Sequence, residues 1–212
     1  MIVGTNWVRP PGPIAPGLRI GLLGGSFNPA HAGHVHVSEV ALKRLGLDYV
    51  WWLVSPQNPL KTSADMAPFQ RRMASARDMI ASRPRLRVTD IETQLGTRYT
   101  IDTVVCLKRR FPQVHFVWLM GSDNLLSFHR WRDWKRLADM LPIAIVLRPG
   151  TILAPLSARA ARQFAVSARR PPRLLATTRP PALTVLDAKR NYESATALRR
   201  QRFGRARRLV LN

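Results

Sequence analysis

A chain of 212 residues with 46% hydrophobic content is long enough to bury one good core as a single domain and too apolar for overall disorder. Its 34 basic residues against 12 acidic ones give a net charge of +22; a field of that sign draws in polyanions and speeds capture of phosphorylated metabolites, but it is equally the mark of biased composition on a solvated surface. The single cysteine, Cys106, excludes an internal disulfide framework and a multi-cysteine metal site, and its place in an apolar helical pattern reads as core packing.

Residues 1–17 carry four prolines and three glycines with no continuous apolar run, so they resemble neither a signal peptide nor a membrane helix and are read as a flexible arm. No stretch approaches the roughly 18 apolar residues of a spanning helix, and the expectation is a cytoplasmic protein without membrane association. Leu18 to Leu23 is an apolar run that predicts a short buried strand, and Val35 to Leu45 shows helical spacing. Between them lies Gly24-Gly25-Ser26-Phe27-Asn28-Pro29-Ala30-His31-Ala32-Gly33-His34. Glycines 24 and 25 are expected to turn the backbone sharply, and a helix starting near Gly33 aims its unpaired N–H groups into the same space. Taken singly, a glycine pair is a turn and a histidine is a cap; together with His31 and His34 as further donors they make a phosphate site.

That combination resembles the signature of the nucleotidyltransferase superfamily with a His-x-Gly-His element on a doubly wound sheet. It is distinct from the Gly-x-Gly-x-x-Gly dinucleotide fingerprint, whose glycines are spaced differently. The resemblance implies that His31 and His34 bind ATP phosphates and stabilise the transition state, with Gly24, Gly25, Ser26 and Phe27 in the same ATP site.

Further along, Tyr49 to Val54 predicts a second buried strand, and the loop Ser55 to Lys61 leaves its C-terminal end, where ligands bind in open parallel sheets. Lys61 is then placed to meet a phosphate, although Asn58-Pro59-Leu60-Lys61 departs from the Pro-Pro-His-Lys of the resembling family. Phe69, Met73, Ala76 and Ile80 mark the buried face of a helix whose Arg71, Arg72, Arg77 and Asp78 are expected to face water. Leu86 to Asp90 predicts a third strand. Thr100 is a natural N-cap for a helix carrying Ile101, Val104 and Val105, and Tyr99-Thr100 at that start presents backbone donors. Val114 to Met120 predicts a fourth strand, and just beyond its end lies Asp123, a carboxylate placed to accept from sugar hydroxyls. Phe128, Trp131 and Trp134 stand among Arg130, Arg132, Asp133 and Lys135, too polar a setting for a buried helix face, and so form a stacking platform for a flat heterocycle. Ile143 to Leu147 predicts a fifth strand and Leu183 to Leu186 the last. Residues 151–181 are expected to hold one short helix near Leu156 to Ala168 and an exposed loop. Ser194 caps a final helix whose start is a second anion site. The arginine-rich stretch 199–208 is able to touch nucleic acid, but basic binding of that kind follows from charge alone.

The string from Met120 to Trp134 narrows the resemblance to the nicotinate mononucleotide adenylyltransferase family, and Arg148-Pro149-Gly150 is similar as well. Ser194, Thr196 and Arg199 resemble the family's Ile-Ser-Ser-Thr-x-x-Arg element, with Glu193 and Ala195 as departures. The resemblance implies an α/β fold, a doubly wound and mostly parallel Rossmann-like sheet, with one nucleotidyltransferase domain over 18–203 and a basic tail over 204–212. It implies transfer of AMP from ATP to nicotinate mononucleotide, giving deamido-NAD and pyrophosphate. His31, His34, Lys61 and Arg199 are the implied catalytic residues, Ser194, Thr196 and Arg199 join the ATP site, and Tyr99, Thr100, Asp123, Trp131 and Arg148 hold the mononucleotide. With no dense carboxylate cluster to cage a metal, Mg2+ is expected to arrive with ATP. The Thr100 helix start with Arg98 upstream favours a carboxylate over an amide on the pyridine ring. The rival readings are another member of the superfamily and a non-enzymatic RNA-binding protein; oligomeric state stays open.

Overall fold

A computed structural model describes residues 8–56, 66–147 and 171–187. Six strands, β1 (Arg19–Gly25), β2 (Tyr49–Val54), β3 (Leu86–Thr89), β4 (His115–Gly121), β5 (Ile143–Val146) and β6 (Leu183–Leu186), form one sheet. Every pairing is parallel and the spatial order is β3-β2-β1-β4-β5-β6. The chain winds outward one way from β1 to β3, then returns to the other side of β1 and winds outward again. The sheet is therefore doubly wound, with its switch point between β1 and β4.

Parallel strands are covered on both faces, which explains their near-continuous apolar sequences such as Val-Trp-Trp-Leu-Val in β2. Alternate side chains feed two cores. Leu23, Val50, Trp52, Val117 and Leu119 pack under α1 (Ala32–Leu45), α2 (Phe69–Met79) and a 3-10 helix (Pro172–Thr177). Ile20, Leu22, Trp51, Phe116 and Trp118 pack on the other face, under residues of α3 (Ile91–Leu95), α4 (Thr100–Arg110), α5 (Ser122–Phe128) and α6 (Trp134–Met140).

Several expectations are corrected by packing. Residues 8–17 are not a loose arm: Val8 is buried in the second core, Ile14 packs against it, and the backbone of Arg9 donates to Gln94 Oε1 at 2.8 Å. Phe128 is fully buried rather than part of a platform, because α5 and the turn after it lay its ring edge-on to Trp131 and Trp134. The charged neighbours Arg130, Arg132, Asp133 and Lys135 point outward and left that ring to the core. The segment read as an exposed loop contains the 3-10 helix, whose Leu175 and Ala176 are buried. Arg72 is buried as well, and its role is taken up below. Cys106 is half-buried, and burial together with Asp102 raises its thiol pKa, so it is no activated nucleophile. Among the described residues no helix is long and apolar enough to cross a membrane. The expected helix near 156–168 and the tail 204–212 lie outside the described residues.

Candidate active site

The carboxyl ends of β1 and β4, at the switch point, bring together the glycine loop and the Gly121-Ser122-Asp123 corner. Both glycines lie inside β1, paired with Leu53 and Val54 of β2, and neither makes the turn. Gly24 is required for a different reason: a Cβ there would stand 2.7 Å and 2.9 Å from the indole of Trp118. Gly24→Ala is expected to lower stability by about 1–3 kcal/mol through this overpacking, read as a fall in thermal midpoint. The turn is made instead at Phe27, whose φ of 45° puts an L-residue in the left-handed region, followed by a cis Asn28-Pro29 bond.

Helix α1 then opens on His31, buried and extended at φ −154° and ψ 167°. Its Nδ1 accepts from the Gly33 N–H at 3.1 Å, while the His31 N–H donates back to Nδ1 of His34 at 3.3 Å. This is a capping box built from two histidines, in which each ring satisfies an N–H at the helix start. It has a chemical consequence. A ring nitrogen that accepts from a backbone N–H carries no proton, so both neutral imidazoles are held as the Nε2–H tautomer, a donor for an anionic ligand.

The two rings lie with centroids 3.9 Å apart. Behind them, Phe27 stacks on Trp52 at 4.9 Å and meets His34 at 4.6 Å. Trp52 is itself fastened, because its Nε1 donates to Ser38 Oγ at 2.8 Å and that hydroxyl donates to the His34 carbonyl at 2.9 Å. A helix of 14 residues thus begins on two neighbouring imidazoles, with its positive dipole end at the switch point.

On the β4 side, Asp123 is exposed in the first turn of α5, and Trp131 is half-buried, edge-on to Trp118 at 5.9 Å and to Phe128 at 5.4 Å. Tyr99, not Thr100, is the N-cap of α4, and it makes no side-chain cap bond. Thr100 is already helical, so no threonine hydroxyl takes the first N–H groups. Arg98 and Arg132 lie over the Tyr99 ring at 5.8 Å and 4.6 Å. Lys61, Arg148, Ser194, Thr196 and Arg199 lie outside the described residues.

Two residues that the sequence did not single out adjoin the site. Arg72 bonds the carbonyls of Ser26 and Ser55, each at 2.7 Å. Its position was legible, since it falls with Phe69, Met73 and Ala76 on the same helical stripe. Glu92 is buried in α3, and desolvation pushes its carboxyl up to about 7, with a smaller opposing effect from a bond to Ser55. Nothing in a five-residue helix gives a periodicity that would have revealed it.

Sheet order and a histidine-capped helix at the switch point define a nucleotide-handling α/β enzyme, and the family model described as Cytidylyltransferase-like matches residues 22–201; the chain is a nucleotidyltransferase. It is 53% identical over 189 residues to the "Probable nicotinate-nucleotide adenylyltransferase" of Parvibaculum lavamentivorans, covering 88% of this chain and 93% of that one. It is 45% identical over 191 residues to the protein of the same description from Brucella abortus strain 2308, covering 89% and 98%. The chain belongs to the nicotinate-nucleotide adenylyltransferase family. Its fold is also similar to that of Plasmodium falciparum nicotinic acid mononucleotide adenylyltransferase complexed with NaAD, with a TM-score of 0.66 at 16% identity over 86% of this chain and 83% of that one.

Proposed function

We propose that the enzyme transfers AMP from Mg2+-bound ATP to nicotinate mononucleotide, giving deamido-NAD and pyrophosphate. The observation that carries the reading is the pair of imidazoles at the start of α1, beside the switch point of the sheet, whose Nδ1 atoms are both taken up by helix-start N–H groups. The names of the relatives point to the same substrate. A mononucleotide phosphate is already an anionic nucleophile, so one of its oxygens attacks the α-phosphorus of ATP directly. The bond from that phosphorus to the bridging oxygen breaks, and pyrophosphate leaves with the electron pair. No general base is needed; alignment and charge neutralisation are.

His31 and His34 serve as donors to the polyphosphate oxygens, helped by the helix dipole. The resemblance assigns Lys61 and Arg199 to the same charge, Ser194 and Thr196 to the ATP phosphates, and Arg148 to the mononucleotide. Asp123 accepts from sugar hydroxyls, and Trp131 stacks on the pyridine ring. Mg2+ enters this reading as part of the substrate, bound to the ATP phosphates. The membrane and nucleic acid have no part in this reading.

The acid form of the mononucleotide is favoured by the start of α4. Its first N–H groups carry no side-chain cap, and Arg98 and Arg132 add positive charge around Tyr99. A carboxylate accepts from such donors, whereas an amide brings a donor of its own and leaves a bond unmade at about 1–3 kcal/mol. With ATP at a fixed concentration, kcat/KM for nicotinate mononucleotide is expected to exceed that for the amide by roughly tenfold to a hundredfold. Equal values would overturn the specificity reading, and failure to form any dinucleotide from either would overturn the function.

A further inference from the structure

A buried guanidinium is costly to desolvate and is retained where its bonds are needed. Arg72, on α2, is 2% exposed, and among the described residues no carboxylate pairs with it. Its donors go to four main-chain carbonyls instead: Nε to Ala67 at 3.0 Å, Nη1 to Ser26 and Ser55 at 2.7 Å each, and Nη2 to Pro56 at 2.8 Å. The Phe69 ring covers it at 5.3 Å. The acceptors come from three separate segments: the loop after β1, the end of β2, and the stretch leading into α2. Ser55 is tied a second time, because its N–H donates to the Gly25 carbonyl at 2.9 Å.

The bond to Ser26 is the one with a chemical sequel. In a trans peptide the C=O and the following N–H point in opposite directions, so drawing the Ser26 oxygen onto the guanidinium fixes the orientation of the Ser26–Phe27 peptide. The next residue is Phe27, held at φ 45°, a conformation that persists in an L-residue only when its surroundings over-determine it. The Phe27 ring is in turn stacked on Trp52 and in contact with the His34 ring. A continuous path of contacts therefore runs from Arg72 through the Ser26 carbonyl, the strained Phe27 backbone and its ring to His34.

We propose that Arg72 is a positioning residue for the phosphate chemistry: by holding the Ser26 carbonyl it keeps Phe27 in its left-handed turn, and through the Phe27 ring it sets the His34 imidazole. The proposal rests on the reading of His34 as a phosphate donor. It requires the planar fork and not merely the charge, because a lysine ammonium cannot reach four carbonyls in one plane. Burial lowers the guanidinium pKa from its ordinary value, but four carbonyl acceptors keep it the charged partner of the loop.

The test is Arg72→Lys, which preserves the charge and removes the fork. Turnover is expected to fall by about tenfold or more, with KM for the pyridine mononucleotide within about twofold of wild type. In the ligand-free protein, the imidazole 15N spectrum of His34 is expected to differ from that of the parent, Nδ1 losing the mark of its bond from the His31 N–H. Turnover like that of wild type, or an unchanged His34 spectrum, overturns the proposal. So does a loss confined to thermal stability, which is what a mere loop staple would give. Should Arg72→Lys fail to fold, Phe27→Leu tests the same path with apolar volume retained: a similar fall in kcat supports it, and an unchanged kcat overturns it. The His34 spectrum is recorded without substrate, so an inability of the parent to make dinucleotide would strike the proposed function while leaving the role of Arg72 decided by the spectrum.

Discussion

Replacing His34 by alanine is expected to lower kcat by a factor on the order of 10² or more in a protein that still folds. The substitution removes two things at once. One is the acceptor for the His31 N–H, a helix-capping bond whose loss costs about 1 kcal/mol of stability. The other is the Nε2–H donor itself, which in the proposed reaction faces the negative charge redistributed between the α-phosphorus and the departing pyrophosphate. A donor placed in advance, in a site partly screened from water, lowers the barrier by far more than a cap stabilises a helix. The two losses separate experimentally: a denaturant titration reads the cap, and steady-state turnover reads the donor. Near-normal turnover in the folded variant would remove His34 from the chemistry. Asparagine at position 34 is a useful companion, since it can cap the helix without an imidazole donor, and it should restore stability without restoring rate.

Glu92→Gln is expected to make stability less sensitive to pH, by roughly 3 kcal/mol as pH rises from the unfolded carboxyl value through the folded one. Burial raises the Glu92 carboxyl from 4.5 to about 7. Between these values the folded protein keeps a proton that the unfolded chain has released. Folding then binds a proton, and stability falls as pH rises through that window, the loss being complete once pH exceeds the folded value. Below the unfolded value both states are protonated and nothing is lost. Glutamine carries no titrating proton, so the variant and the parent should be close in stability near pH 4.5 and should diverge in favour of the variant by pH 8. Other groups titrate in the same range, histidines among them, but they are common to both proteins and cancel in the difference. Urea unfolding at several pH values gives that difference directly, and parallel curves would mean that the Glu92 carboxyl titrates alike in the folded and the unfolded protein.

Much of the candidate site's geometry was legible because its residues are adjacent in sequence. His31 and His34 lie one helical turn apart, so the capping that aligns them is local, and the strand before them needs only an apolar run. The aromatic string from Phe128 to Trp134 is also local, but local reasoning misjudged it: polar neighbours do not show which ring a turn folds inward, and Phe128 went to the core while Trp131 stayed half-buried.

The chain by itself determined the alternation of strands and helices, because period 2 and period 3.6 are properties of neighbouring residues, and it determined the histidine corner, because a helix start is a local event. Tertiary structure decided the rest. Gly24 is glycine because Trp118, from a strand 94 residues later, occupies the place of its Cβ. The turn falls on Phe27 rather than on the glycines because parallel pairing with β2 keeps Gly24 and Gly25 extended. Arg72, read as a solvated charge, is buried because three main-chain segments far apart in sequence offer carbonyls at one point. Spacing puts Arg72 on the stripe of Phe69, Met73 and Ala76 but cannot supply its partners, since the energy of a buried cation depends on acceptors that only the assembled fold brings within reach.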